Sequence, residues 1–576
     1  MLDLLIRGGK VVDGTGAPAR MSDVGVRDGK VVAIGQTDEP ASRTIDADGL
    51  VVSPGFVDLH THYDAQLFWD PSASPSPLHG VTTVIGGNCG FSLAPCGPEH
   101  SDYLARMMAR VEGMPLESLE QLDWSWTSFG DWLGRLEGRI GVNAGFLVGH
   151  SALRRAVMGE SAVGSEANKE QVHEIEQLLH RSMEEGALGL STSQAHTHND
   201  GDGQPVPSRS ASREELETLC AAVASHPGTT LELILPGCLN GFSEDEVDLM
   251  TRLSLLAGRP ANWNVLGVSA MNRKGLEHQL EASTAAASRG AKVVALTLPH
   301  TMKIRLSFAH GAIIDGLPGW RELFAIGIPE RIKVLSDPAQ RRRLDEGARS
   351  PEAGIIGALA NWKRLVVDET FSDENAQYEG KNIEEIARMR SQEPFDALCD
   401  VVIADELRTG LRPPMGETEE DWQLRSEVWR DERTVVGGSD AGAHLDVMCG
   451  AIYSTSLLGD GVRKRNLLSW EEAVHQLSDV PARLYGLRDR GRLHEGWWAD
   501  IVVFDPERVG HGQERTRNDL PGGASRLYAE SEGIEHVFVN GTEVVSAGAF
   551  TGASTSGALL RSGTDTDTVN VPGKPS

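Results

Sequence analysis

The stretch GFVDLHTHYD, residues 55–64, sets two histidines one residue apart at the end of an apolar run. Successive strand residues point to opposite faces, so His60 and His62 aim at the same side if the extended backbone continues through them. Imidazole is a common ligand for zinc and related ions. A pair of imidazoles converging at a strand end therefore raises the question of a metal. Seven further apolar runs have the same character: GVTTVIGG (80–87), GVNAGFLVGH (141–150), GALGLSTS (186–193), TTLELILPG (229–237), ANWNVLG (261–267), AKVVALTL (291–298) and RTVVGGSD (433–440). Helical patterns such as NKEQVHEIEQLLHRSMEEG (168–186) and SREELETLCAAVASH (212–226) lie between them. Eight buried strands alternating with helices predict a parallel (β/α)8 TIM-type barrel within an α/β class fold.

Outside the barrel, residues 1–53 read as short strands separated by Asp-Gly turns, and the same style returns over 485–552. The two ends are expected to complete one small β-sandwich domain around a barrel spanning 54–484. The interval from about 300 to 432 is too long for one βα unit and predicts an inserted lid or subdomain. The Ser-, Thr- and Gly-rich segment 553–576 reads as a flexible tail.

Composition excludes several functions. A formal net charge of −29 argues against nucleic-acid binding, which depends on clustered Lys and Arg. No apolar run approaches the roughly 18 residues of a membrane span, and MLDLLIRGGKVVDG lacks the charge and apolar core of a signal peptide. Six cysteines without close pairing indicate neither a disulfide framework nor a zinc knuckle. The expectation is a soluble, cytoplasmic protein. Homo-oligomers are frequent among such proteins, but no stretch marks an interface.

The remaining ligands come from neighbouring strands. Cys89 follows the second strand in GNCG and Asp440 follows the last in GGSD, and strands one, two and eight adjoin in a closed barrel. A thiol, two imidazoles and a carboxylate suit a zinc-like ion. Taken alone, Cys89 could be an inert buried thiol and Asp440 a capping aspartate.

The order of PGFVDLHTHYD, GVTTVIGGNCGFSLAP, VGHSALRRAVMG, GALGLSTS, GGSDAGAH and GRLHEGWWADIVVFD resembles the amidohydrolase superfamily, and within it the D-aminoacylases (N-acyl-D-amino-acid deacylases). The resemblance implies a zinc-dependent hydrolase of a linear amide with one or two ions. It implies ligands at His60, His62, Cys89 and Asp440, with Asp440 also as general acid/base. It also exposes a departure, because family members carry a histidine at the ends of strands five and six. Here those strands read TTLELILPG and ANWNVLG; Glu232 or Asn264 could occupy the vacated positions, Glu232 being the candidate ligand, although a Glu inside an apolar strand could equally pair with a buried Arg.

Other residues have two readings each. His150 could line the pocket or be structural. His196 and His198, in the loop after strand four, could serve an oxyanion or belong to a solvated rim. His444 could support the site or end a turn. Arg154, Lys303 or Arg305 could receive a substrate carboxylate, and Trp263, Phe308 and Trp320 would favour a large apolar acyl group if they reached the mouth. A cyclic-amide hydrolase is the nearest alternative, although GALGLSTS offers Ser191 where such enzymes often carry a modified lysine. A non-hydrolytic enzyme or a binding protein on the same scaffold is the other.

Overall fold

A computed structural model describes residues 1–573 apart from 312 and 415. The two chain ends share a nine-stranded sheet. Leu2–Val11, Arg20–Arg27, Lys30–Ile34, Ala41–Asp46 and Val51–Pro54 come from the N-terminal side, and Ile501–Phe504, Ile534–Val539, Thr542–Ser546 and Ala549–Phe550 from the C-terminal side. The join is the antiparallel pairing of Val51–Pro54 with Ile501–Phe504. In hydrogen bonding, the sandwich expected from these segments is thus one continuous sheet. The tight hairpin of Arg20–Arg27 with Lys30–Ile34 turns at Asp28-Gly29, both with positive φ, as the Asp-Gly signal requires.

Eight parallel strands carry the centre of the molecule: β1 (Phe56–Asp58), β2 (Val81–Gly86), β3 (Asn143–Phe146, continued by Val148–Gly149), β4 (Gly189–Ser193), β5 (Thr230–Ile234), β6 (Ala261–Leu266), β7 (Val293–Thr297) and β8 (Thr434–Val436). Each pairs in parallel with the next, in one sheet over β1, β2 and the first part of β3 and in another from Val148–Gly149 to β8. A parallel bridge between Thr61 and Ala441 brings the end of β1 beside the end of β8. Strands β2, β4, β5 and β7 are buried along their whole length, which explains why they read as continuous rather than alternating apolar runs. The expected helices form at Lys169–Glu184 and Arg213–Val223. Asn168 and Ser212 side chains cap their first amides. Among the described residues no helix is long and apolar enough to cross a membrane.

The long interval between β7 and β8 holds its own core, in which Leu306, Phe308, Trp320, Trp362, Leu398 and Leu411 are buried together. An antiparallel ladder of Val366–Glu369 with Gly410–Arg412 braces it. Phe308 and Trp320 stack edge-to-face there, and Trp263 packs against Phe242. All three rings are buried in packing, so none serves as the apolar wall considered above. The helix Glu419–Trp429 departs from the inserted unit, since its Trp422 and Trp429 belong to the main core.

The C-terminal segment differs from the flexible tail expected of its composition. Leu559 bridges to Ala144 in parallel, the Thr566 hydroxyl donates to Gly228 O at 2.7 Å, and Gly573 N–H donates to Gly290 O at 2.8 Å. Leu559, Leu560 and Val571 are buried. Main-chain pairing is indifferent to side-chain type, and one adjacent leucine pair with a single distant valine leaves no periodic signal. Leu560→Ala is expected to destabilise the protein by about 2–5 kcal/mol through loss of a buried side chain. A denaturant midpoint equal to that of the parent chain would show that the segment does not pack.

Candidate metal centre

His60 and His62 lie just beyond β1, where the backbone is held from both sides. Thr61 N–H donates to Ile85 O of β2 at 3.0 Å, and His62 N–H donates to Ala441 O at 2.8 Å. The Asn88 side-chain amide adds donations to the carbonyls of Leu59, Thr61 and Ile85. The backbone bends at Leu59 and His60, just past the strand, and these bonds fix the HTH triplet there, with the two rings 5.4 Å apart at 71°. Cys89 joins them, and the ligating atoms of His60, His62 and Cys89 all fall within 4.8 Å of one another.

Cys89 and Asp440 both adopt positive φ, 56° and 55°, which non-glycine residues rarely do and which is characteristic of functional loops. The Cys89 amide donates to Glu232 Oε2 at 2.9 Å, and the thiol lies 3.3 Å from His60 Nε2. Gly90 allows the turn to press against β4, since a Cβ there would come within 2.8 Å of Ser193 N. Asp440 N–H donates to His60 O at 3.1 Å. Its Oδ1 lies 3.2 Å from His60 Nε2 and 3.8 Å from His62 Nε2 and accepts from Asn264 Nδ2 at 3.3 Å. The two residues at the vacated histidine positions thus both face the site, Glu232 through Cys89 and Asn264 through Asp440.

Burial dominates the electrostatics. It pushes Glu232 up to about 7, and it drives His62 down to about 3 with help from the charge of His60. The Cys89 thiol is held well above its usual value by burial and by the Glu112, Glu232 and Asp440 carboxylates. Burial also acts to raise Asp440, but the hydrogen bond and charge of His60, together with His62 and His444, bring it down to about 2. His60 Nδ1, both ring nitrogens of His62 and Glu232 Oε1 are buried without hydrogen-bond partners. Buried polar atoms are almost always paired. Unpaired imidazole nitrogens converging with a thiol and a carboxylate fit a zinc-type ion.

The structure separates the remaining candidates. His198 is placed at the rim, its Nδ1 2.7 Å from Ser193 Oγ and its ring against Phe91. His444 lines the adjoining cavity, whereas His196 is exposed beside Arg209. His150 and Arg154 do not line a pocket. Both are fully buried around Glu215, with His150 Nε2 2.9 Å from Glu215 Oε1 and its Nδ1 2.8 Å from Thr192 Oγ1. Arg154 pairs with Glu215 and donates to Ser165 O at 2.5 Å, so its guanidinium is committed and unavailable for a substrate carboxylate. Arg305 is likewise committed, to Glu369 at 2.5 Å, and Lys303 is not among the cavity-lining residues. His226 pairs with His180, His278 with Glu281, and His300 with Thr301 O, so none replaces a missing strand histidine.

The sequence reading missed Glu112. It ends the helix Ser101–Val111, is buried, and places Oε2 3.4 Å from His62 Nε2. Nothing in VEGMP separates it from the many surface acids; Gly113 alone hints at a turn. A cavity of about 680 Å³ opens beside it, lined by Gly113, Met114, Met302, Ile304, His444 and Met448 among others.

The amidohydrolase family matches this chain over residues 43–545, and the chain belongs to that family. It is similar to the N-acyl-D-glutamate deacylase of Alcaligenes xylosoxydans xylosoxydans, at 30% identity over 94% of this chain and 93% of that one. The D-aminoacylase of the same organism is 27% identical over 97% and 98%. Among solved structures, a D-aminoacylase superposes with a TM-score of 0.64 at 26% identity, covering 97% of this chain and all of that one. An N-acyl-D-glutamate deacylase from Bordetella bronchiseptica, complexed with zinc and a phosphonate mimic of the reaction's tetrahedral intermediate, gives 0.62 at 25% identity, covering 97% and 99%. A D-hydantoinase shares the fold alone, at 16% identity and a TM-score of 0.50.

Two measurements test the assignments. Elemental mass spectrometry should find about one or two equivalents of zinc or a similar ion per chain, lost in a His60→Ala/His62→Ala double variant. Arg154→Ala should cost about 3–5 kcal/mol of stability by stripping a buried carboxylate of its cation; unchanged stability with a raised KM would return Arg154 to the substrate.

Proposed function

We propose that this chain is a metal-dependent hydrolase of linear amide bonds, of the N-acyl-amino-acid deacylase kind. Its eight parallel strands are read as a closed (β/α)8 barrel with the site at the C-terminal mouth, where active sites of that fold lie. The observation that carries the proposal is the convergence of His60, His62 and Cys89 within 4.8 Å of one another, with Asp440 Oδ1 3.2 Å from His60.

These residues, with Asp440, would hold a zinc-type ion. Such an ion polarises a carbonyl and lowers the pKa of water toward about 7. Asp440 does the proton work. Its carboxylate is ionised throughout the neutral range, and Asn264 Nδ2 fixes one oxygen. It takes a proton from the attacking water and returns it to the leaving nitrogen. His198, kept neutral by burial and by the charge of His444, can present a ring donor to the oxyanion.

The cavity supports an apolar acyl group. Met114, Leu116, Met302, Ile304 and Met448 line it, and among the described residues its one Arg or Lys, Arg110, is paired with Asp315 at 2.9 Å. A cyclic amide is less well supported. Ser191 on β4 is engaged between Gly87 O and Gly90 N–H, and no lysine occupies the strand.

Asp440→Asn is expected to abolish turnover with the metal retained; unchanged turnover would remove Asp440 from the mechanism. Across N-acyl-D-amino acids of increasing acyl length, kcat/KM should rise by about fourfold per buried methylene, the equivalent of about 0.8 kcal/mol. A flat series, or hydrolysis of hydantoins in preference, would overturn the substrate reading.

A further inference from the structure

The buried acids of the centre face histidines. Glu112, Glu232 and Asp440 are each buried or nearly so, yet among the described residues no lysine or arginine forms an ion pair with any of the three. Histidine is the only basic partner, His60 and His62 for Asp440, His62 and His444 for Glu112. Buried carboxylates are retained when they are paired, protonated or coordinate a metal.

Glu112 is the acid whose position is hardest to explain otherwise. Its side chain is 3% exposed, and Oε2 points at His62 Nε2 from 3.4 Å without a hydrogen bond that satisfies that nitrogen. Both ring nitrogens of His62 are buried and unpartnered, an observation independent of the acids. The backbone is built to hold Glu112 there. Its carbonyl accepts His444 N–H at 2.6 Å, and Gly113, at φ +58°, lies so close that a Cβ would meet His444 Cα at 3.1 Å. Glu232 differs, because one of its oxygens is already taken by the Cys89 amide.

We propose that Glu112, whose carboxylate stands outside the 4.8 Å group of His60, His62 and Cys89 but 3.4 Å from His62 Nε2, turns inward as a metal ligand of this chain, giving the ion an anionic donor from the helix after β2 in place of a histidine from β5 or β6. The inference rests on the metal-centre reading given above. Glu112 thereby makes the cage richer in oxygen than an all-imidazole arrangement and shifts it toward harder divalent ions such as manganese or iron(II) alongside zinc. Glu232 acts as a positioning residue for Cys89.

The test uses the full chain and compares the parent with Glu112→Gln, Glu112→Asp and Glu232→Gln. Zinc affinity is measured by competition with a chromophoric chelator, and cobalt(II) loading is followed by visible absorption. Removing a partner that only orients a ligand costs about 10–100-fold in affinity. Glu112→Gln is therefore expected to lose more than about 100-fold, and to shift the cobalt ligand-field bands while the Cys89 charge-transfer band persists. Glu112→Asp should recover part of the affinity, and the metal-free variants should unfold at the parent's midpoint. A zinc affinity for Glu112→Gln within about threefold of the parent, the scale of one neutral hydrogen bond, with unchanged cobalt bands, would overturn the proposal and leave the metal centre standing. A parent chain that binds neither zinc nor cobalt would instead overturn both readings.

Discussion

The parallel pairing at the end of β1 is the constraint on which the site depends. Thr61 bonds to β2 and His62 to the segment after β8, so the first strand's end is clamped between its two neighbours. Each bond is an ordinary backbone hydrogen bond. Their joint effect is to fix residues 60–62 after the strand itself has ended, which is what holds the two imidazoles together. The same pairing carries Asp440 to His60, because Asp440 N–H donates to the His60 carbonyl. Ring geometry and carboxylate geometry therefore follow from one piece of main-chain structure, reinforced by the Asn88 amide on three carbonyls.

A second constraint is charge in a dry space. The Cys89 thiol and the Glu112 carboxyl are both held far above their ordinary values, burial being the first cause and the other acids of the centre the next. A divalent cation reverses that balance, since it favours thiolate and carboxylate alike. The strained φ values at Cys89 and Asp440 belong to the same economy of space. Each lets a short side chain leave a strand end and turn back toward the strand axis, a path that ordinary backbone conformations do not offer.

What the sequence revealed follows the range of the signal. The HTH triplet, the Asn-Cys-Gly turn and the Ser-Asp turn were legible because each chemistry-bearing residue sits within a few positions of an apolar strand that fixes its direction. Glu112 was not, because it reaches the site from the end of a helix, and helix-terminal acids abound on surfaces. Arg154 and His150 were legible as residues near a strand end but not as partners of Glu215, which lies on another helix. The C-terminal segment misled for a related reason. Its contacts with Ala144 and Gly290 run through main-chain atoms, which composition does not encode, and the one with Gly228 through the hydroxyl of a single threonine, Thr566.

The substitutions at β5 and β6 change the kind of cage more than its existence. Where the family resemblance leads one to expect two imidazoles, Glu232 and Asn264 face the site, and His60, His62 and Cys89 still converge. Glu232 then spends one oxygen on the Cys89 amide, and Asn264 spends its amide on Asp440. Both therefore hold existing donors in position, and neither restores the lost imidazole contact by itself. What still faces the histidines from outside the strands is Glu112, whose Oε2 lies 3.4 Å from His62 Nε2 beside the cavity lined by His444.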